Sequence, residues 1–317
     1  MSIATRSRVN RVAVAAALVA LACAGAARAQ QADSTHMHVD GAMRGAGAVP
    51  AAAPADTHAF VMPARDPHLP PAEDQAKAQL DASPRHGEFV DIPHGPGKKI
   101  RAWVVYPEQH DQVGIVLLIH EIYGLSDWIR GVADQLADEG FIAIAPDFIS
   151  GMGPGGGGTD SVASRDGVVK LVMALDKDEM RRRLDDVMRY AAHVPAGNRK
   201  VVTMGFCWGG GRSFDYAISP RLSGAIVFYG VPPDTASITR VKAPVIGFYG
   251  GDDARVTSTV EFARGMLGMI RQPYDPHIFA GAGHGFLRQQ SGRNGANYRA
   301  TQQAWPLALA FLRTQLK

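Results

Sequence analysis

From Glu88 onward, short continuous apolar runs alternate with longer amphipathic stretches, and few folds accommodate that alternation. The apolar runs are Phe89 to Ile92, Ile100 to Tyr106, Val113 to Ile119, Phe141 to Ala145, Lys200 to Gly205, Ala225 to Tyr229 and Val245 to Tyr249. Most are rich in Val and Ile and too short for helices, so they predict strands buried on both faces. Between them, Ser126 to Glu139 places Ile129, Val132 and Leu136 on one face, and Lys177 to His193 does the same with Met180, Leu184, Val187 and Ala191. That spacing predicts helices. Tyr298 to Leu316 is a further helix candidate despite Pro306. Buried strands separated by helices imply an α/β fold, with a mainly parallel sheet and helices on both faces. Such sheets carry their sites at the carboxyl ends of strands.

The region upstream has a different character. Arg6, Arg8 and Arg11 precede an apolar run from Val12 to Ala27 and the small-residue triplet Ala27-Arg28-Ala29. This layout predicts a cleavable Sec-type signal peptide over 1–29, and hence a periplasmic or secreted protein starting near Gln30. The run falls short of the roughly 18 to 20 residues a bilayer requires, so no membrane span is expected. Lipid attachment at Cys23 is the competing reading, weakened by the poor preceding triplet Ala20-Leu21-Ala22. Residues 30–87 are rich in Ala, Pro, His and Met and predict a flexible leader. His36, Met37, His38 and Met43 are copper-type donors, but nothing in the sequence fixes a coordination geometry, so neither metal nor cofactor is expected. Residues 88–317 then form one domain, taken to be monomeric. With a net charge of +3 and no basic block in the mature part, the chain shows no footprint for nucleic acid or an anionic membrane.

Loss of the signal peptide leaves Cys207 as the one cysteine, unable to form an internal disulfide. A lone cysteine is ordinarily an inert, buried small hydrophobe. Its surroundings argue otherwise. The strand Lys200 to Gly205 leads into Gly205-Phe206-Cys207-Trp208-Gly209-Gly210 and then a helix-like stretch, which is the nucleophile-elbow pattern with Cys in place of Ser. Residues two before and two after the nucleophile must be tiny in that turn, and a helix N-terminus favours thiolate.

Two later segments complete a triad in the order nucleophile, acid, histidine. Gly250-Gly251-Asp252-Asp253 follows the strand Val245 to Tyr249, and Gly283-His284-Gly285-Phe286 comes after it. Asp253 is the expected acid, with Asp252 as the alternate, and His284 is the general base. His120-Glu121-Ile122-Tyr123-Gly124-Leu125 follows the strand Val113 to Ile119, where such a fold supplies its second oxyanion donor. The backbone N–H groups of Ile122 and Trp208 are the expected hole. His120 is read as structural. Glu121 stands beside the hole, where a carboxylate would repel a developing oxyanion, and the motif leaves its role open. The glycine-rich Gly151 to Gly158 lacks the Lys-Ser/Thr of a phosphate loop and is read as a mobile loop beside the site.

Taken together, these segments resemble the dienelactone hydrolases, also called carboxymethylenebutenolidases, from about Glu88 to the C-terminus. The resemblance implies an α/β-hydrolase fold and cofactor-free hydrolysis of a small ester or lactone through a thioester intermediate. It places Cys207, Asp253 and His284 in the triad. Glu121 takes the position of a carboxylate that contacts the thiol at rest and helps deprotonate it once substrate is bound. Arg288 matches an arginine that pairs with this carboxylate and with the substrate's own. Members acting on dienelactone carry a second arginine shortly after the Pro-Asp segment, whereas here Pro146-Asp147 runs into the glycine loop. The sequence therefore predicts half of a two-arginine clamp. The alternative reading is a catalytically degenerate hydrolase scaffold serving as a thiol redox or binding protein.

Overall fold

A computed structural model describes residues 60–109 and 111–317. The expected signal peptide, Cys23 and the run holding His36, Met37, His38 and Met43 lie outside the described residues. The strands are β1 (Gly87–Pro93), β2 (Lys99–Val105), β3 (Val113–Ile119), β4 (Ile142–Pro146), β5 (Gly197–Phe206), β6 (Gly224–Phe228), β7 (Val245–Gly250) and β8 (Tyr274–Phe279). They form one sheet in the order β1-β2-β4-β3-β5-β6-β7-β8. β1 and β2 pair antiparallel, as do β2 and β4, and every pairing from β4 through β8 is parallel. The expected runs account for the first seven strands. β8 was not anticipated, because Tyr274-Asp275-Pro276-His277-Ile278-Phe279 mixes polar residues with a proline. It occupies the sheet's edge, the place where a residue without an N–H is tolerated.

The helices are α1 (Ala76–Ala82), α2 (Asp127–Asp138), α3 (Arg165–Ala174), α4 (Lys177–Ala191), α5 (Trp208–Tyr216), α6 (Thr235–Ile238), α7 (Ala254–Thr257), α8 (Val260–Met269) and α9 (Ala296–Gln315). Ser126 caps α2, and Asp176 caps α4 by accepting from the Glu179 N–H at 2.8 Å. Side chains alternate across the strands, so each buried strand feeds two cores. On β3, Val116 and Leu118 join a core with Trp128, Phe206 and Trp305, while Ile115, Leu117 and Ile119 join one with Leu184, Val187 and Phe214. The uninterrupted aliphatic run is thus explained by helices on both faces.

Two expectations are corrected. The leader predicted to reach residue 87 gives way earlier to ordered chain. Leu69, Ala72 and Ala76 are buried. Trp128 Nε1 donates to the Pro71 carbonyl at 3.0 Å, Gln290 Nε2 donates to that of Pro70 at 2.9 Å, and Arg85 pairs with Asp134 at 2.6 Å. Small side chains, backbone carbonyls and one arginine do the anchoring, in a segment with few large apolar residues. The glycine loop likewise is not free. The N–H groups of Gly151 and Gly153 both donate to the Gly157 carbonyl, at 3.0 and 2.9 Å. Thr159 then donates to the Asp147 carboxylate through its N–H at 2.6 Å and its hydroxyl at 2.9 Å. Its hydroxyl oxygen also accepts from the Leu125 N–H at 3.0 Å, so the loop braces the segment after β3.

Candidate active site

Cys207 lies between the end of β5 and the start of α5, with φ 55° and ψ −115°. A non-glycine residue there carries strain of about 1–3 kcal/mol, so its surroundings must impose it. The Cys207 N–H donates to the Phe228 carbonyl at 3.0 Å, and its own carbonyl accepts from the Gly211 N–H at 3.2 Å. A Cβ on Gly205 would lie 2.0 Å from the Gly209 carbonyl oxygen, and one on Gly209 would lie 2.2 Å from that of Ile119. A side chain fits neither position: Gly205 lets α5 start close against β5, and Gly209 lets it pass the end of β3. The thiol is half-buried, with the Trp208 N–H facing its sulfur. That N–H is free of intrahelical bonding because it opens the helix. The Ile122 N–H makes no hydrogen bond among the described residues.

The acid and the histidine meet. His284 Nδ1 donates to Asp253 Oδ2 at 2.5 Å, with Asp253 buried and the imidazole about a third exposed at 33%. Asp252 instead points outward and accepts from Arg293 at 3.3 Å. Burial therefore separates the two adjacent carboxylates that the sequence left open. The Nε2 edge of His284 has no hydrogen-bond partner among the described residues. Its ring packs edge-on against Tyr229, with centroids 5.1 Å apart.

Glu121 is buried and accepts from Arg288 Nε at 2.6 Å. Burial pushes its carboxyl up to about 7, against the pull of the Arg288 charge. Burial, and then the charge of Glu121, push the Cys207 thiol up to about 11. His120 is fully buried. The Phe148 N–H donates to its Nε2 at 3.2 Å, so the proton is on Nδ1, which donates to the Glu121 carbonyl at 2.7 Å. Burial holds that imidazole neutral, stacked 5.7 Å from the Trp208 ring.

Several neighbours were not singled out from the sequence. Tyr229 has φ 42°, is buried, and leaves its hydroxyl without a hydrogen bond of ordinary geometry, although it lies near enough to Glu121 for each to shift the other. Glu73, from the segment ahead of α1, accepts from both Arg288 Nη1 and Arg165 Nη2. Arg165 opens α3 and stands 3.7 Å over the Tyr123 ring, which Arg288 approaches at 4.9 Å. The single arginine expected here is therefore joined by a second, carried from beyond the glycine loop rather than directly after Asp147. A surface cavity of ≈430 Å³ lies away from Cys207, lined by Lys177, Arg181, Arg212 and Asp215, and brings together charge without the Cys207, Asp253 and His284 arrangement.

Comparison with known proteins agrees with this architecture. The dienelactone hydrolase family profile matches residues 100–316. A Saccharolobus solfataricus protein provisionally assigned as a carboxymethylenebutenolidase is 30% identical over 254 residues, covering 68% of this chain and 95% of the relative. The carboxymethylenebutenolidase of Pseudomonas putida is 28% identical over 186 residues, covering 56% of this chain and 76% of its own. Among solved structures, a provisionally assigned dienelactone hydrolase from Klebsiella pneumoniae superposes with a TM-score of 0.62 at 26% identity, covering 72% of this chain and 98% of that one. Sheet order, site geometry and sequence relatedness converge: the chain belongs to the dienelactone hydrolase family of α/β-hydrolases.

Proposed function

We propose that the protein hydrolyses a small carboxylic ester or lactone through a thioester on Cys207, and that it does so after Sec-type export, in the periplasm or outside the cell. The observation that carries the reading is the strained Cys207 turn at the start of α5, set in the same site as the 2.5 Å bond between His284 and Asp253. The thiol proton passes from Sγ to His284 Nε2, a transfer Glu121 assists as a base whose value near 7 suits neutral pH. The thiolate attacks the carbonyl carbon, and the displaced electron pair rests on oxygen beneath the N–H groups of Ile122 and Trp208. Collapse breaks the C–O bond, and the leaving alkoxide takes the proton from Nε2. Water then gives a proton to Nε2 and attacks the thioester. Breakage of the C–S bond returns the proton to sulfur and releases the acid. Asp253 holds the imidazole tautomer and stabilises its cation throughout. The names of the relatives point to lactones as the first substrates to try.

The thiol redox reading draws less support, because a cysteine held protonated up to about 11 is a poor sensor. Purified protein assayed on p-nitrophenyl acetate and dienelactone should hydrolyse at least one, and Cys207→Ala and His284→Ala should each abolish that activity. Hydrolysis surviving in both variants refutes the mechanism. N-terminal sequencing of protein from the periplasm or medium should begin near Gln30, and material retaining Met1 in the cytoplasm refutes export.

A further inference from the structure

We propose that Glu73 determines substrate specificity: its carboxylate occupies a site made by Arg165 and Arg288, so the resting enzyme prefers substrates without a carboxylate at that end. The inference rests on the ester hydrolysis proposed above. Glu73 Oε1 accepts from Arg165 Nη2 at 3.0 Å, and Oε2 accepts from Arg288 Nη1. Each oxygen thus has its own guanidinium, and the Tyr123 ring contacts both arginines. This is how a protein binds any carboxylate, whether its own or a ligand's. The Glu73 N–H also donates to the Arg288 carbonyl at 3.0 Å, which fixes the segment's register on the loop after His284.

The pair of arginines lies beside the proposed chemistry. Tyr123 follows Ile122, the proposed oxyanion donor. A Cβ on Gly285, next to His284, would lie 3.7 Å from an Arg288 nitrogen and 4.0 Å from Glu121 Oε1. An acyl group with its carbonyl at Cys207 therefore has the arginines within the reach of a short chain. Glu73 holds them by tethering rather than by intrinsic strength. Its side chain is 43% exposed and that of Arg165 is 53%, and such pairs are individually weak. A tethered group nevertheless competes at an effective concentration of about millimolar, above that of a dilute substrate. Neutralising Glu73 leaves Arg288 with Glu121 alone, and leaves Arg165 without an ion-pair partner among the described residues. Glu73 acts against anionic substrates as a like charge placed at the point of recognition.

The test compares p-nitrophenyl hydrogen glutarate with p-nitrophenyl butyrate. In Glu73→Gln, which keeps the side chain's size, the ratio of kcat/KM for the anionic ester over the neutral one should rise by about tenfold or more. Adding Arg165→Ala should remove most of that gain. A ratio unchanged within about twofold overturns the proposal and makes Glu73 a structural staple. Calorimetry with monomethyl glutarate on the Cys207→Ala background separates this outcome from failure of the hydrolase reading. Binding about tenfold tighter with Gln at position 73 supports the proposal even without turnover, and equal binding overturns it.

Discussion

The proposed triad and the arginine cluster lie side by side and are assembled in different ways. Cys207 follows β5, Asp253 follows β7 and His284 follows β8, so the ends of strands in one sheet set all three. The cluster draws Glu73 from ahead of α1, Glu121 from beyond β3, Arg165 from the start of α3 and Arg288 from the loop before α9. The first group is held by hydrogen-bonded backbone and close glycine contacts. The second is held by charge: Arg288 is shared between Glu73 and Glu121, Arg165 pairs with Glu73, and both guanidinium groups pack on the Tyr123 ring. A sheet edge fixes reacting atoms with little freedom to drift, while loop-borne charges can be retuned by single substitutions without moving the nucleophile. The division suggests where reaction type and substrate choice reside.

The sharpest way to break that division is Asp253→Asn. The amide keeps the shape but presents an N–H where His284 Nδ1 needs an acceptor, favouring the wrong tautomer. kcat/KM on a neutral ester should fall by about 10³-fold, with melting temperature as the control for folding. A loss below about tenfold would mean that strand-end geometry does not orient the base, and the contrast with the cluster would collapse.

Glu121→Gln tests the second region and should separate two readouts. Removing the carboxylate relieves the charge that helps raise the Cys207 thiol, so the thiolate becomes more accessible at a given pH. Alkylation by iodoacetamide should accelerate. Ester acylation should nevertheless slow by about 10- to 100-fold, because the assisting base is gone. In the wild type, burial raises Glu121 to about 7, so it is protonated below that pH and the acylation rate should climb as pH rises through it. Stability runs the other way. A carboxyl whose folded value exceeds its unfolded 4.5 contributes most below 4.5, and that contribution is lost as pH rises toward 7. Relative to Glu121→Gln, the wild type should lose thermal stability across that window. Parallel loss of alkylation and turnover would reduce Glu121 to a packing element.

The two regions also differ in how much could be read from the chain. β3 matches its expected bounds because an uninterrupted aliphatic run leaves no other interpretation. The elbow is legible because Cys207 follows an aliphatic strand and stands between Gly205 and Gly209, where a Cβ would meet backbone at 2.0 and 2.2 Å. Asp253 follows the equally apolar β7, and His284 is legible only from its order after them and its Gly-His-Gly setting. The apolar run Ala225 to Tyr229 predicts a strand that ends on Tyr229. The φ of 42° at Tyr229 ends β6 one residue earlier and turns the ring toward His284, a conformation that composition does not reveal. Glu73 contacts Arg165 across 92 residues and Arg288 across 215, from a segment whose Ala/Pro-rich composition suggested a leader. Contacts of that range follow from the finished fold and leave no periodic trace.

The smallest effect comes from Asp252, and it bears on the same comparison. Asp252 and Asp253 are chemically identical neighbours on one turn, yet the first is 46% exposed and its Arg293 partner 53%. An ion pair with that exposure, at 3.3 Å, contributes at most about 1 kcal/mol. Asp252→Asn should therefore change kcat/KM by less than about twofold and lower the melting temperature by no more than a few degrees. Steady-state kinetics beside Asp253→Asn makes the contrast direct. A loss approaching that of Asp253→Asn would show that the outward carboxylate swings in during turnover. The triad would then share the adaptability of the arginine cluster, and the sheet edge would no longer explain the fixed geometry of the site.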